Sequence, residues 1–280
     1  MFTPQGPTLR ELAAQALSSV EHGYDLLAPK FDHTPFRTPD AILDAVARAL
    51  GPIGPFDHGL DLCCGTGAGM EVLSELCRER VTGVDISAGM LAVGRERAGA
   101  GKPKRTDADA PRVARPGSYE GVDRGTSPRP AWVRGDARAL PFGPVFDLVV
   151  SFGAFGHFLP RELSGLFTQV HSVLRPGGHF AFPVTAPPRP SSPWYWALLG
   201  FDAAMRVRNA VWRPPFVMYY RAFRLGDVQL ELRRAGFEVE LLALPEFGWR
   251  RDGSPRCRMV VATRSGGASS AASDAACGSG

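Results

Sequence analysis

A glycine turn, three strand-end aspartates and one loop histidine are the residues in this chain whose types and spacing could do chemistry. The run Leu60-Asp61-Leu62-Cys63-Cys64-Gly65-Thr66-Gly67-Ala68-Gly69 is an apolar strand pattern ending in glycines, followed directly by a helix-like stretch at 70–77. A turn of this kind brings bare backbone N–H groups and a helix N-terminus up to a ligand. The dinucleotide fingerprint is G-x-G-x-x-G. Here the spacing is G-x-G-x-G with Asp61 ahead of it, which favours a cationic ligand over a phosphate. Asp85 ends a second strand pattern, Val81-Thr82-Gly83-Val84, about 20 residues past the turn, where a carboxylate can take both hydroxyls of an adenosine ribose. A third strand pattern at 131–137 ends in Gly135-Asp136-Ala137, and a fourth covers 146–151.

The elements that must position these groups are legible around them. Residues 8–24 carry Leu9, Leu12, Ala13, Ala16, Leu17 and Val20 at helical spacing, which predicts one amphipathic helix. A second helix is predicted over 39–50 with Gly51 as its stop, and a third over 86–93 with Ser87 as N-cap. A helix over 163–174 is stopped by Arg175-Pro176-Gly177-Gly178, and a fifth strand follows at 179–184. Residues 226–235 read as helix, with a sixth strand from 237 and a last strand over 256–263. Between strands two and three, 99–130 is rich in Gly, Pro, Arg and Asp with almost no aliphatic residues, and is expected to be a disordered insertion. The Ser/Gly/Ala tail at 265–280 is expected to be disordered as well.

These four motifs in register resemble the class I S-adenosylmethionine-dependent methyltransferase family, small-molecule type, over most of 60–184. The resemblance implies an α/β fold: a doubly wound, seven-stranded, mostly parallel sheet with the last strand antiparallel and helices on both faces. It implies S-adenosylmethionine at the carboxyl ends of the strands, contacted by Asp61, Cys63, Gly65 and Gly67, by Asp85, and by Ile86 and Met90 packing on the adenine. Asp136 and Ala137 would read the adenine edge, and Ser151 opens the loop beside the transferring methyl group. Tyr24 and Phe31 would cover the methionine end, with Arg37 pairing its carboxylate. The family pattern is D-h-G-x-G-x-G, and Cys63 stands where its first glycine usually lies. Cys63 and Cys64 are read as small packing residues rather than reactive thiols. His157 is the only histidine of the reaction loop 151–158 and the candidate general base. The expected organisation is a helical cover (1–58), a cofactor-binding core (59–185), a substrate cap (186–225) and the rest of the core (226–264).

The cap is crowded with Trp194, Tyr195, Trp196, Phe201, Trp212 and further aromatics, which suggests an apolar pocket. Interleaved Arg206, Arg208 and Arg213 suggest a second use, peripheral membrane contact through 194–213. At 280 residues, 44% hydrophobic and 21% charged, the chain suits one large α/β domain with a small cap. Five scattered cysteines form neither a disulfide framework nor spaced metal pairs. A soluble, cytoplasmic protein is expected, because no run of about 18 uncharged apolar residues occurs. The net charge of +4 forms no compact nucleic-acid footprint, and no nucleic-acid partner is expected. The expected reaction is in-line methyl transfer to a small, largely apolar acceptor. Two other readings are a non-catalytic S-adenosylmethionine-binding or assembly protein and, more distantly, a nicotinamide-dependent oxidoreductase.

Overall fold

The computed structural model describes residues 6–34, 36–100, 128–219 and 223–266. Most of the expected insertion and tail lie outside the described residues. In chain order the elements are α1 (Leu9–Leu17), α2 (Val20–Leu27), a 3-10 turn (Ala28–His33), α3 (Asp40–Leu50), β1 (Phe56–Leu62), α4 (Ala68–Leu76), β2 (Cys77–Asp85), α5 (Ala88–Gly99) and β3 (Arg129–Arg134). There follow β4 (Phe146–Val150), α6 (Leu163–Val173), β5 (Leu174–Thr185), α7 (Pro193–Val211), α8 (Leu225–Arg234), β6 (Phe237–Ala243) and β7 (Cys257–Arg264).

The seven strands form one sheet in the order β3-β2-β1-β4-β5-β7-β6. Pairs from β3 through β5 are parallel, and β7 runs antiparallel between β5 and β6. Strand order reverses between β1 and β4, and the crevice at such a switch point is where an open α/β sheet takes its ligand. Alternation along the strands builds two cores. Leu60, Leu62, Val149, Phe180, Phe182, Val260 and Ala262 pack with α6 and α8, whereas Leu148, Val150, Ala181, Met259 and Val261 pack with α3 and α4 on the other face. Both faces are covered, so the central strands read as nearly continuous apolar runs.

Two expectations about elements are corrected. The single helix over 8–24 is two helices, because Ser18 takes an extended conformation (ψ 179°) as the end of α1 and the Ser19 hydroxyl accepts from the His22 N–H as the cap of α2. The apolar spacing runs on across the break while the hydroxyls capture the backbone groups locally. Arg175 to Gly178 is more than a helix stop. It lies inside β5, where the pairing jumps from Phe146 with Leu174 to Leu148 with His179, and Gly177 (φ +79°) accommodates the irregularity.

Candidate functional site

The turn after β1 runs through Cys63 (φ +59°), Gly65 (φ +53°) and Gly67 (φ +93°) into α4. Left-handed backbone costs a residue with a Cβ roughly 1–2 kcal/mol, so Cys63 is held there by its surroundings. A Cβ on Gly67 would lie 2.4 Å from the Trp132 ring, whereas one on Gly65 would meet open space. Gly65 therefore faces a void and Gly67 packs against β3. Burial first, then nearby aspartates, pushes both the Cys63 and Cys64 thiols well above the ordinary cysteine range, so neither is a thiolate near neutral pH.

Three carboxylates converge on this turn from three strand ends. Asp61 is 1% exposed, and burial, reinforced by the Asp85 charge, drives its carboxyl well above the usual range. The Gly69 and Met70 N–H groups at the start of α4 oppose that shift, yet its Oδ2 has no hydrogen-bond partner. Asp85 accepts from the Gly65 N–H (2.8 Å) on one oxygen and the Ser87 N–H (2.9 Å) on the other, and burial raises its carboxyl too. Asp136, past the end of β3, accepts from the Arg138 N–H (2.9 Å). All three line a cleft of about 530 Å³ together with Cys63, Gly65, Ile86, Met90 and Ala137. An acidic cleft containing an unpartnered buried carboxylate oxygen suits a ligand that carries positive charge.

The N-terminal helices close the cleft through their own acids. Asp25 accepts from the Ser87 hydroxyl (2.6 Å) and the Gly89 N–H (2.8 Å), capping α5 from outside the helix. Asp32 accepts from the Thr66 hydroxyl (2.8 Å) and is ion-paired with Arg97. Glu21 pairs with Arg134 at 2.5 Å. Three acids on one cover segment thus engage the glycine turn, the α5 N-terminus and the end of β3. Sequence reading missed them, because 21–32 shows acids without diagnostic spacing and their partners lie far along the chain.

Tyr24 and Arg37 line the same cleft. Arg37 donates to Asp40 (2.8 Å) and lies 3.9 Å from Asp32. The Tyr24 hydroxyl lies 2.7 Å from His157 Nε2, while His157 Nδ1 lies 2.7 Å from the Val217 carbonyl oxygen. A carbonyl can only accept, so Nδ1 carries the proton and Nε2 of the neutral ring accepts from Tyr24. Burial pushes the His157 pKa below the ordinary histidine value; the Val217 hydrogen bond opposes that shift and the Arg138 charge adds to it. The ring is therefore a neutral base at physiological pH.

Two expected contacts fall elsewhere. Ser151 is 1% exposed, does not line the cleft, and donates its hydroxyl to the Leu62 carbonyl (2.9 Å), tying the end of β4 to that of β1. Gly67 also lies outside the lining and shapes the turn from behind as the residue before α4. The cap supplies Pro215 and Val217 to the cleft wall, facing Phe152, Phe158 and Leu159 of the 151–159 loop.

Comparison with known proteins agrees with this geometry. Residues 60–182 match the family model described as a methyltransferase domain. An uncharacterized methyltransferase of Synechocystis sp. is 28% identical over 162 residues, which are 58% of this chain and 61% of that protein. The match thus spans less than two thirds of that relative. The O-methyltransferase cnsE of Penicillium expansum is 26% identical over 233 residues, 81% of this chain and 69% of the other. The solved magnesium protoporphyrin IX methyltransferase of Synechocystis, with bound S-adenosylhomocysteine, superposes with a TM-score of 0.51 at 18% identity, covering 80% of this chain and 81% of its own. At that identity the likeness concerns the fold.

Proposed function

We propose that this chain, which belongs to the class I S-adenosylmethionine-dependent methyltransferases, transfers a methyl group to a hydroxyl of a small, largely apolar acceptor. The observation that carries the reading is the Tyr24–His157–Val217 chain of hydrogen bonds at the cleft wall. A neutral, orientated imidazole at the cleft wall suits removal of a proton from an acceptor. The relation to an O-methyltransferase over 81% of this chain supports oxygen as the methylated atom.

The residues fit the cofactor. Asp85 would take the ribose hydroxyls, Asp136 and the Ala137 N–H the adenine edge, and Ile86 and Met90 the faces of the base. Asp61, with its unpartnered oxygen, would compensate positive charge beside the glycine turn. Arg37 would receive the carboxylate while keeping Asp40 in reach. When bound, S-adenosylmethionine supplies a methyl group already made electrophilic by its sulfonium. What remains for the protein is alignment, exclusion of water and handling of one proton.

On the acceptor side, Phe152, Phe158, Leu159, Pro215 and Val217 form an apolar wall. An acceptor hydroxyl beside Tyr24 would give its proton to the phenol oxygen as the phenol passes its own proton to His157 Nε2. Neither group changes net identity except that the imidazole becomes charged, to be relieved by solvent after release. The test is methyl transfer from labelled S-adenosylmethionine across a panel of apolar phenols, alcohols, amines and thiols. Turnover of hydroxyl acceptors is expected, with loss in His157→Ala. Transfer confined to amines or thiols and indifferent to His157 would contradict it.

A further inference from the structure

A second face of the molecule, away from the cleft, carries features that methyl transfer does not use. Helix α7 spans 19 residues, and only Asp202 and Met205 are buried along it. Trp194 is 67% exposed, Trp196 61%, Val207 64% and Val211 78%, with Trp212 beyond the helix end at 52%. An ordinary surface helix turns one apolar stripe inward, whereas here large apolar side chains stand in solvent on a contiguous element.

This helix adjoins a concentration of positive charge. Trp196 Nε1 donates to the Pro190 carbonyl (3.0 Å), fixing the first turn of α7 to the segment that leaves β5. The same segment is held on its other side by the Ala186 N–H donating to the Arg256 carbonyl (2.8 Å) and by the Arg250 guanidinium donating to the Pro187 carbonyl. Between them lies an open cavity of about 460 Å³ lined by Arg189, Arg250, Arg251 and Arg256 beside Trp249. Among the described residues none of these four arginines is ion-paired with a carboxylate. The nearby Asp252 carboxylate accepts from the Ser254 N–H and hydroxyl, and the Arg250 and Arg189 charges add to those bonds in lowering its pKa.

Of the three arginines that sequence spacing singles out, two make contacts within the cap, and Arg213 is exposed. Arg206 stacks over the Tyr219 ring at 4.7 Å, and Arg208 donates to the carbonyls of Pro214 and Ser18. Both hold the cap together. A denser cluster of arginines outside ion-pair distance of a carboxylate lines the arginine cavity, contributed by residues up to 67 positions apart in sequence.

We propose that α7 and the adjoining arginine cavity form one face that seats the protein on an anionic lipid bilayer. Exposed tryptophans suit the interfacial layer, and arginines at the same edge suit lipid phosphates. A second copy is a poorer fit, since an isologous contact on this face would set four arginines against four with Asp252 the one carboxylate noted beside them on each side. The proposal stands apart from the methyl-transfer reading, because none of these residues lines the cofactor cleft.

Vesicle flotation of the full chain tests it, with phosphatidylcholine alone or mixed with phosphatidylglycerol, at low and high salt. Flotation is expected only with the anionic vesicles and should fall with salt. Arg250→Gln with Arg251→Gln should weaken binding by about fivefold per arginine. Trp194→Ser with Trp196→Ser should weaken it at least tenfold, and a blue shift of tryptophan emission on anionic vesicles, read on the unmodified chain, gives a readout that needs no variant. Absence of both flotation and blue shift on anionic vesicles, or equal flotation of all variants, would overturn the proposal. A concentration-dependent dimer lost in the tryptophan variant, with no vesicle binding, would give the face to a second copy instead.

Discussion

Tyr24 and His157 stand 133 positions apart in the chain and share a 2.7 Å hydrogen bond across the cleft, joining the N-terminal cover to the loop after β4. The bond orients the phenol, and the Val217 carbonyl on the far side of the ring fixes which imidazole nitrogen is basic. A third element, the chain following α7, therefore sets the tautomer.

If the two act as one relay, removing either should cost nearly as much as removing both. His157→Ala is expected to lower kcat by about 100-fold, within the usual range for general acid–base catalysis, and Tyr24→Phe by a similar factor, with the double variant little worse. Cofactor affinity of His157→Ala, measured by calorimetry, should stay unchanged. A loss of only a few-fold in both single variants removes the relay.

The pH dependence follows from burial of His157, which lowers its pKa. The ring must be neutral to accept a proton, so kcat/KM should fall as pH drops through a value below the ordinary ~6.5. Stability has the same sign. The unfolded chain binds the histidine proton at a higher pH than the folded one, so the native state loses stability as pH falls below ~6.5 toward the folded pKa. Denaturant unfolding over that range should show a steeper slope in wild type than in His157→Gln, the remainder in the variant coming from His171 and His179, whose pKa values burial also lowers. An activity midpoint above the ordinary histidine value would refute the assignment.

Two glycines of one turn should respond differently to the same substitution. Gly65→Ala adds a methyl in open space and meets only the left-handed backbone penalty, about 1–2 kcal/mol. Gly67→Ala adds that penalty to a 2.4 Å overlap with Trp132, and a loss of about 3 kcal/mol is expected in urea unfolding. Equal losses would mean that β3 does not pack behind the turn as described.

The cover should open when its acids are removed. Asp25→Ala strips an acceptor from the Ser87 hydroxyl and the Gly89 N–H, and Asp32→Ala one from Thr66 and Arg97. Amide exchange should rise across 20–33 in either variant while β1, β4 and β5 keep their protection. Uniform loss of protection, or none, would show that these contacts do not hold the cover.

The strand ends were legible because their signals are local. Asp61, Asp85 and Asp136 each follow an apolar run that leaves the sheet at its carboxyl edge, and the glycines between mark a turn that tolerates little else. Helix breaks and long-range contacts were not legible for the opposite reason. The hydroxyls of Ser18 and Ser19 interrupt an apolar repeat that continues past them, and nothing near Tyr24 in sequence points to His157. Ser151 looked like a ligand contact from its place in the loop, yet its hydroxyl is spent on Leu62. Arginines interleaved over 194–213 suggest a charged face; Arg206 and Arg208 make contacts within the cap, whereas a denser cluster comes from the segments after β5 and before β7.

The central claim is a cofactor site built on Asp85, and its most direct measurement is a calorimetric titration of wild type and Asp85→Ala with S-adenosylmethionine, S-adenosylhomocysteine and NAD. The first two should bind wild type and weaken by roughly 10- to 100-fold in the variant, the loss expected for hydrogen bonds to a charged group, with no NAD binding in either. Binding of NAD alone, or of S-adenosylmethionine with equal affinity in both proteins, would contradict the account.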